Sequence, residues 1–468
     1  MSKENETDSI DWEVASTSKM VSYGFGYLII NYLLTAYSAI VFYFYEVEIG
    51  LPVALVGIAF IIFAIWNMIN DPLLGYLTDK PLKWTRKWGM RAPWIVISSF
   101  PILVCYFFIF TPPNLDKEGI MIVFLYMIII TCLFDTFFSI YNDHIYGGFT
   151  NQFRTEYERR KGFAIIAIVA GFGVTFLRII PPLFIEYGDK TSFVFSALIV
   201  LIILVICNFF LFFGIRESEQ LKESFIKGYE DTKGEKSFFN TMKVAFKHKN
   251  FVVILVGYTV IITTQTLMQA SQIYFVKDVL RVPYSYTILI NLAGFVGYII
   301  SVPFWYNFTR KYGFKKTLVI CLFLAGVSYI PTLWITTVEE RIIYTFLGGI
   351  PYAGYTIVIM PVAADTMDDV ALTLGRRAEA SLAGVRMFFF RLAFLVQGVV
   401  ITAVHILTAY NPDPQATQTP LAIWGIRVHA GLIPALLMLV MSLIVYKWYD
   451  LTGERKESML KELKAKGL

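Results

Sequence analysis

Charge is scarce in this sequence. Asp, Glu, Lys and Arg make up 16% of the 468 residues, while 57% of the residues are hydrophobic. Soluble domains carry about 25% charged residues. The mean hydropathy of +0.61 leaves too little polar surface to cover a core in water. The composition therefore predicts a membrane protein.

Catalytic signatures are missing as well. The sequence contains no P-loop, no H-E-x-x-H motif, no G-x-S-x-G elbow and no G-x-G-x-x-G turn. These absences argue against an enzyme, a bound cofactor and transport driven by ATP hydrolysis. His405 lies in an apolar run and is interpreted as a hydrogen-bonded core residue. The four cysteines lack metal-type spacing and are expected to be small core residues: Cys105, Cys132, Cys207 and Cys321.

Long apolar runs fill most of the chain. Such runs are too continuous for barrel strands, so only helices satisfy their backbone groups in lipid. The sequence predicts an all-α membrane protein with twelve transmembrane helices, preceded by a flexible cytoplasmic N-terminus at residues 1–20 that is unlike a signal peptide. Each of the twelve runs reaches or approaches the roughly 20 residues that a spanning helix needs: 21–45, 53–77, 94–111, 120–146, 163–185, 193–214, 250–275, 285–307, 317–336, 342–364, 381–408 and 425–447.

The distribution of Lys and Arg predicts the orientation. If the N-terminus is inside, the cytoplasmic loops hold about twenty-three basic residues and the opposite loops about five. Cytoplasmic loops carry this excess in membrane proteins. Both termini are therefore expected in the cytoplasm, with the cell membrane as the location. The net charge of +5 reflects the same bias and needs no nucleic-acid partner.

The apolar runs form two groups of six. Residues 215–249, rich in both signs of charge, separate 21–214 from 250–449, and 450–468 form a cytoplasmic tail. Basic residues and a glycine follow the second helix of each group, and transporters often show such internal repeats. The pattern predicts two six-helix bundles, joined by a cytoplasmic linker, around a central cavity. Within the linker, 238–247 is either an amphipathic helix on the membrane surface or a solvated loop.

Polar residues gather on one face of the second apolar run. Asn67, Asn70 and Asp71 are three and four residues apart, so they share a helix face. Pro72 follows and has no N–H, which leaves the carbonyl of Met68 without its helical partner. A charge at bilayer depth costs about 2.5–3.5 kcal/mol on insertion scales and usually marks an ion or substrate path.

Several blocks of the sequence resemble a transporter family. SYGFG (22–26) opens the first run, INDPLLGYLTDK (69–80) and RKWGMRAPW (86–94) cover the second helix and its basic loop, and ADTMDD (364–369) and GRRAEAS (375–381) precede the eleventh run. These blocks resemble the glycoside–pentoside–hexuronide:cation symporters (melibiose permease-like) of the major facilitator superfamily. The resemblance runs over most of the chain and implies a monomeric symporter.

The resemblance implies two linked sites. Asp71 falls on the family's cation-coupling aspartate, Asn67 on a second cation-site aspartate, and Asp135 on an aspartate that holds sugar hydroxyls and links to the cation site. Asn31 stands at another sugar-binding aspartate, and Arg391 falls on an intramembrane lysine. The expected cation ligands are Asp71, Asn70, Asn67 and Asp135, of which the first three would bind sodium in a sodium-coupled carrier. The expected substrate contacts are Asp135, Asn31 and Arg391.

Other interpretations of these residues stay open. The asparagines at 31 and 67 each remove a negative charge relative to melibiose-type members, and the family also contains lysolipid transporters. Arg391 suits a carboxylate or phosphate group, or it forms a structural pair with Asp135. Asp71 is otherwise a capping or kink residue beside Pro72.

An inner gate of charged residues is also implied by the resemblance. The first half is expected to contribute one cluster of charges and the second half its counterpart, and the alternative is surface charge that only sets topology. The residues concerned are Asp79, Lys80, Arg86 and Lys87 in the first half, and Asp365, Asp368, Arg377 and Glu379 in the second.

The expected function is therefore transport. The chain is interpreted as a cation-coupled secondary active transporter of a sugar, glycoside or related polar solute, working by alternating access with Na⁺ or H⁺ as the coupling ion. Its partners would be that small-molecule solute and membrane lipid. The alternatives are a carrier of a lysolipid or anionic amphiphile, and a receptor or scaffold that does not transport.

Overall fold

A computed structural model describes residues 14–78, 82–223, 238–375 and 379–466. Within these ranges all regular secondary structure is helical. Eleven segments are long and apolar enough to cross a membrane, and one of them, Tyr286–Leu333, has 48 residues. Gly313 interrupts that segment with a φ of 83° and a ψ of 169°, which only glycine adopts readily. The described chain thus holds twelve apolar helices, and the predicted all-α fold is confirmed.

Most of the twelve helices follow one another through short connections, and the linker separates α6 from α7. α1 and α7 each continue into a π-helical turn, Phe44–Glu48 and Phe275–Leu280. The bounds in chain order are α1 (Thr17–Tyr43), α2 (Val53–Thr78), α3 (Ala92–Ile109), α4 (Ile120–Gln152), α5 (Glu156–Leu177), α6 (Lys190–Gly214), α7 (Lys249–Tyr274), α8 (286–312), α9 (314–329), α10 (Val338–Leu374), α11 (Glu379–Leu407) and α12 (Pro420–Trp448).

Some helices extend beyond their apolar runs because caps, not hydropathy, set their ends. α5 begins at Glu156 instead of 163, where Thr155 and Glu158 form a capping box. α1 begins at Thr17, inside the segment predicted to be flexible, because the Ser16 side chain accepts a hydrogen bond from the Lys19 N–H. Residues 1–13 of that segment lie outside the described ranges.

The two halves pack along α1 with α7 and along α2 with α11. We call the end where α1 begins and α6 reaches the linker the linker end, and the opposite end, where α1 gives way to α2, the far end. Ser38 donates to Gln397 Oε1 (2.9 Å) and the Gln397 amide donates to the Ser38 carbonyl (3.2 Å). Gly57 lies directly against Thr402, and Gly398 lies against Phe60. The halves are therefore in close contact toward the far end.

The described parts of the linker and tail pack onto the bundles. Phe238–Ala245 is a helix that packs with Phe251, Val370 and Leu382 of α7, α10 and α11. This confirms a helix over the solvated loop, and its place on the membrane surface remains a prediction. In the tail, the helix Gly453–Ala465 buries Met459 and Leu463.

One linker residue clamps the start of α3. The Glu217 carboxylate accepts the backbone N–H groups of Met90 (2.8 Å), Arg91 (2.6 Å) and Ala92 (3.0 Å). The side chain sits so close to Gly89 that a Cβ there would lie 2.6 Å from the carboxyl carbon. A negative charge at a helix N-terminus is stabilised by the free N–H groups and the helix dipole. The linker is thus attached to the first half.

We expect substitutions at the α8–α10 contact to destabilise the fold. A Cβ at Gly349 would lie 2.2 Å from the Gly294 carbonyl oxygen, and one at Gly297 would lie 2.2 Å from that of Phe346. The backbone atoms of two packed helices cannot move aside as a flexible side chain can. Gly349→Ala should therefore lower the free energy of unfolding by about 1–3 kcal/mol and lower the melting temperature of the purified protein. Gly171→Ala is the matched control, since nothing lies within 4 Å of a Cβ there. Equal melting of both variants would contradict the close helix contact.

Candidate functional site

The polar face of α2 lies on an unbroken helix. α2 runs without a break from Val53 to Thr78, so Asp71 is followed by nearly two further helical turns and does not cap the helix. Asn67 and Asn70 are buried, with 1% and 5% of their surface exposed. The structure thus confirms that the three side chains share one face inside a membrane helix.

Both asparagines of this face bind the aspartate on α4. Asn67 Nδ2 donates to Asp135 Oδ1, and Asn70 Nδ2 lies 3.4 Å from Asp135 Oδ2. Asp135 itself is 1% exposed. The second carboxylate of the group, Asp71, accepts a hydrogen bond from Ser139 Oγ on its Oδ1. α2 and α4 therefore place two carboxylates and two amides together.

The cation of the group comes from the other half of the molecule. Arg391 Nε of α11 donates to Asp71 Oδ2 at 3.1 Å. The Arg391 side chain is 3% exposed and that of Asp71 is 21% exposed. The guanidinium lies 5.5 Å from the ring centre of Phe138 and 5.7 Å from that of Phe390, positions that add cation–π attraction. This ion pair joins the two halves.

The charges of the group do not cancel. Two carboxylates, Asp71 and Asp135, face a single guanidinium, so one negative charge is in excess when both are ionised. A buried charge without a partner is costly. A proton or a monovalent cation neutralises the excess.

One buried oxygen in the group is free to accept. Asn67 Oδ1 is buried and has no hydrogen-bond partner in the structure. It belongs to the side chain whose nitrogen already donates to Asp135. Hard cations prefer carboxylate and amide oxygens, and the group supplies both kinds. The arrangement can hold a small cation between Asp135, Asn67 and Asp71.

Ser139 is the one residue of this group that the sequence analysis does not include. It lies one helical turn after Asp135, four residues along α4, and contacts Asp71. The i, i+4 spacing on the face of a charged residue is the sequence signal that identifies it. A hydroxyl is too common in membrane helices for that signal to stand out alone.

Asn31 lies apart from the charged group. Its Nδ2 donates to the Tyr27 carbonyl at 2.7 Å, in its own helix. The neighbouring Thr35 accepts from an Arg178 NH2 at 3.1 Å. Among the described residues, Asn31 forms no hydrogen bond with Asp71, Asp135 or Arg391, and its contact with substrate remains a prediction.

The residues predicted to form an inner gate are only partly described. Asp79, Lys80 and Arg377 lie outside the described residues, and Glu379 is the first residue of α11. Arg86 and Lys87 belong to a short helix, Thr85–Trp88, and are exposed. Asp365 forms an ion pair with Lys456 of the tail helix, and Asp368 lies one turn further along α10. Gating by these residues remains a prediction.

The fold and the site together define a class of protein. A membrane bundle of two packed halves, with buried ionisable groups where the halves meet, is the architecture of a secondary transporter. A family model described as "MFS/sugar transport protein" matches residues 22–453. The chain belongs to this family of membrane transporters, and it is not an enzyme.

Individual relatives are distant but extend over most of the chain. It is 21% identical over 439 residues to the sodium-dependent lysophosphatidylcholine symporter 1-A of Danio rerio, covering 85% of this chain and 79% of that protein. It is 22% identical over 425 residues to the raffinose carrier protein of Pediococcus pentosaceus, covering 88% and 64%. The crystal structure of a mutant of the nucleoside transporter NupG superposes on this chain with a TM-score of 0.57 at 14% sequence identity. The superposition covers 92% of this chain and 99% of that chain and supports the fold.

We expect Asp71 and Arg391 to depend on each other for stability. Asp71→Asn removes the carboxylate that Arg391 contacts directly, and Arg391→Gln leaves two carboxylates with no cation, so each should cost up to about 3–5 kcal/mol. The double variant removes both charges and should lose at least about 1 kcal/mol less than the sum of the single losses. Unfolding of the four proteins in detergent measures the difference.

Arg386→Gln provides the control for this cycle. Arg386 lies on the same helix and contacts Met360 Sδ and the Tyr258 ring, not a carboxylate. Combined with Asp71→Asn, it should give additive losses. Additive losses for Arg391 would show that the ion pair contributes nothing to stability.

Proposed function

We propose that this protein is a cation-coupled symporter that moves a sugar, glycoside or related polar solute across the cell membrane by alternating access. The observation that carries the proposal is the Asp71–Arg391 ion pair between the halves, set beside Asp135 and the free Asn67 oxygen. Family membership and the names of the relatives support transport coupled to a cation.

Competition for Asp71 provides the coupling. Without a bound cation, Arg391 neutralises Asp71 and holds α2 of the first half to α11 of the second. A sodium ion or proton taken up by Asp71 and Asp135 neutralises the excess charge and competes with Arg391 for the Asp71 carboxylate. A ligand that binds one conformation better shifts the population toward it. The cation therefore weakens the Asp71–Arg391 contact that ties the halves together at this level.

The solute is held beside this group. Asp135 supplies a carboxylate to hydroxyl groups of the solute, and Arg391 becomes available once Asp71 binds a cation. Asn31 is half-buried on α1 and adds an amide on the side of the first half. Charged residues at the linker end, among them Asp365 and Asp368, act in the inner gate.

The excess of basic residues in the linker-end loops supports a cytoplasmic location for that end and for both termini. In the described conformation the halves are packed together toward the far end, and Asp71 keeps part of its surface exposed. We assign this conformation to the state that faces the cytoplasm.

A lysolipid or anionic amphiphile is the second candidate cargo. The similarity to the fish lysophosphatidylcholine symporter and the guanidinium of Arg391, which suits a phosphate, favour it. Uptake into proteoliposomes of a panel of glycosides and of a lysophospholipid, each with a sodium or a proton gradient, separates the two cargo classes and identifies the ion. No solute-dependent ion flux with any member of the panel would favour the receptor alternative.

We expect Asp71→Asn and Asp135→Asn each to abolish accumulation of the solute against its gradient, because neither variant can hold the excess negative charge that binds the cation. The measurement is uptake into proteoliposomes at equal protein incorporation. Glu118→Gln is the control, since this exposed carboxylate lies outside the bundle. Full accumulation by Asp71→Asn would remove that residue from the coupling mechanism.

Asn31→Ala should weaken solute binding more than cation binding. Loss of one hydrogen bond to the solute costs about 1–3 kcal/mol, which corresponds to a rise in KM of about 5-fold to 100-fold. The concentration of cation that gives half-maximal uptake should change much less. An unchanged KM would remove Asn31 from the substrate site.

A further inference from the structure

A second group of buried ionisable side chains lies at the far end. Glu46, in the π-helical turn after α1, is 1% exposed. Both oxygens of its carboxylate contact the other half of the molecule. Tyr274 donates its hydroxyl to Oε2 at 2.5 Å, and His405 Nδ1 lies 2.8 Å from Oε1. The expectation that His405 is a hydrogen-bonded core residue is confirmed, and its partner is a carboxylate.

The contacts continue from His405 into α12 and α7. His405 Nε2 lies 3.3 Å from His429 Nε2, and His429 Nδ1 lies 2.7 Å from Ser271 Oγ. Ser271 Oγ also lies 2.6 Å from the Leu267 carbonyl oxygen. The two histidines and Ser271 are 2% exposed or less. Four buried side chains thus form one line of hydrogen bonds, which we call the far-end array: Glu46, His405, His429 and Ser271.

Two neutral imidazoles beside an ionised carboxylate do not satisfy this geometry. His405 would donate to Glu46 and accept from His429, whose Nδ1 would then require the Ser271 proton. The Leu267 carbonyl would be left 2.6 Å from a hydroxyl oxygen that donates elsewhere. Two acceptors at that distance repel each other.

One additional proton satisfies every contact. His405 then donates from both nitrogens, His429 accepts on Nε2 and donates from Nδ1 to Ser271 Oγ, and Ser271 donates to Leu267. The proton between His405 and Glu46 can lie on either residue without changing the number of protons that the array binds. The closed array therefore has one more proton than an ionised carboxylate with two neutral imidazoles.

Charged and aromatic side chains surround the far-end array. The Tyr43 ring packs on the Tyr274 ring at 5.1 Å. Tyr410 stacks on His405 at 4.2 Å and donates to Asp278 Oδ2 at 2.9 Å. Lys277 pairs with Asp278 at 3.0 Å. Behind these residues, Arg341 and Arg427 bind the Thr332–Leu333 turn. Charges of both signs therefore lie around the array: the carboxylates of Glu46, Glu48 and Asp278 and the cations of Lys277, Arg341 and Arg427.

We propose that the far-end array is a proton-binding site that is complete only when the two halves are closed at this end. Opening takes Glu46 away with the first half, while His405, His429 and Ser271 remain with the second. The separated groups become hydrated and the additional proton is released. Acid conditions therefore favour closure of the far end, independently of the cation held at Asp71. This inference rests on the proposed alternating access.

The test measures conformation, not transport. Spin labels on cysteines placed at the exposed positions Lys117 and Gln415, one in each half near the far end, report the separation of the halves by pulsed electron spin resonance in nanodiscs. No solute is added and the sodium concentration is fixed. As the pH falls from about 8.5 to 5.5, the ratio of closed to open molecules should rise by up to about tenfold per pH unit, the limit for one linked proton.

Two variants assign the pH dependence to the array. Glu46→Gln and His405→Asn should each abolish the rise in the closed fraction. His144→Gln, at a buried histidine of the linker end beside Arg91, is the matched control and should retain it. A wild-type ratio that does not change with pH, or a rise that persists in both array variants, would overturn the proposal.

A milder variant covers the case in which the array variants do not fold. Ser271→Ala keeps both histidines but removes the acceptor of His429. The rise in the closed fraction should therefore occur at a pH lower by at least half a unit, which corresponds to about threefold weaker proton binding. An unmoved rise contradicts the proposal. If the labels show one separation at every pH, and still one when each solute of the uptake panel is added in a separate measurement, alternating access itself fails. Two separations whose ratio does not change with pH refute only the proton site.

Discussion

Burial of unequal charge is the constraint on which this molecule depends. Asp71 and Asp135 lie where the halves meet, and one guanidinium cannot neutralise both. The remaining negative charge must bind something from outside the protein, because a buried ion without a partner is costly. The same arginine that stabilises Asp71 also joins the halves. In the proposed mechanism, neutralising the site and moving the halves are therefore linked, as a coupled carrier requires.

The far end repeats this design with different chemistry. There too a carboxylate of the first half, Glu46, takes its partners from the second half. The partners are imidazoles and a tyrosine, which exchange protons, whereas the group around Asp71 offers carboxylate and amide oxygens that suit a metal cation as well as a proton. Two levels of the interface between the halves can thus respond to two different ligands.

Much of the fold follows from the sequence, because length, hydropathy and the basic loops identify each membrane helix. Helix ends were less predictable, since the Thr155–Glu158 capping box starts α5 in a charged stretch. Within the site, spacing alone placed Asn67, Asn70 and Asp71 on one face. The partnership of Asp71 with Arg391, 320 residues away, and that of Glu46 with His405 depend on how separate helices pack, and no local pattern in one sequence contains that information.

Glu217 binds the first residues of α3, so the connection between the halves begins later in the chain than the end of α6. Hydropathy alone suggests that the first half ends with the last apolar residues of α6, at Gly214. The carboxylate three positions later is nevertheless bound to Met90, Arg91 and Ala92 and travels with them. The tether that must absorb the rocking of the halves therefore starts beyond Glu217. If the protein were expressed as two separate polypeptides, a break before Glu217 would leave the first turn of α3 without its anchor. A break beyond Lys222, whose Nζ donates to the Lys87 carbonyl at 3.0 Å, would keep these contacts within the first piece.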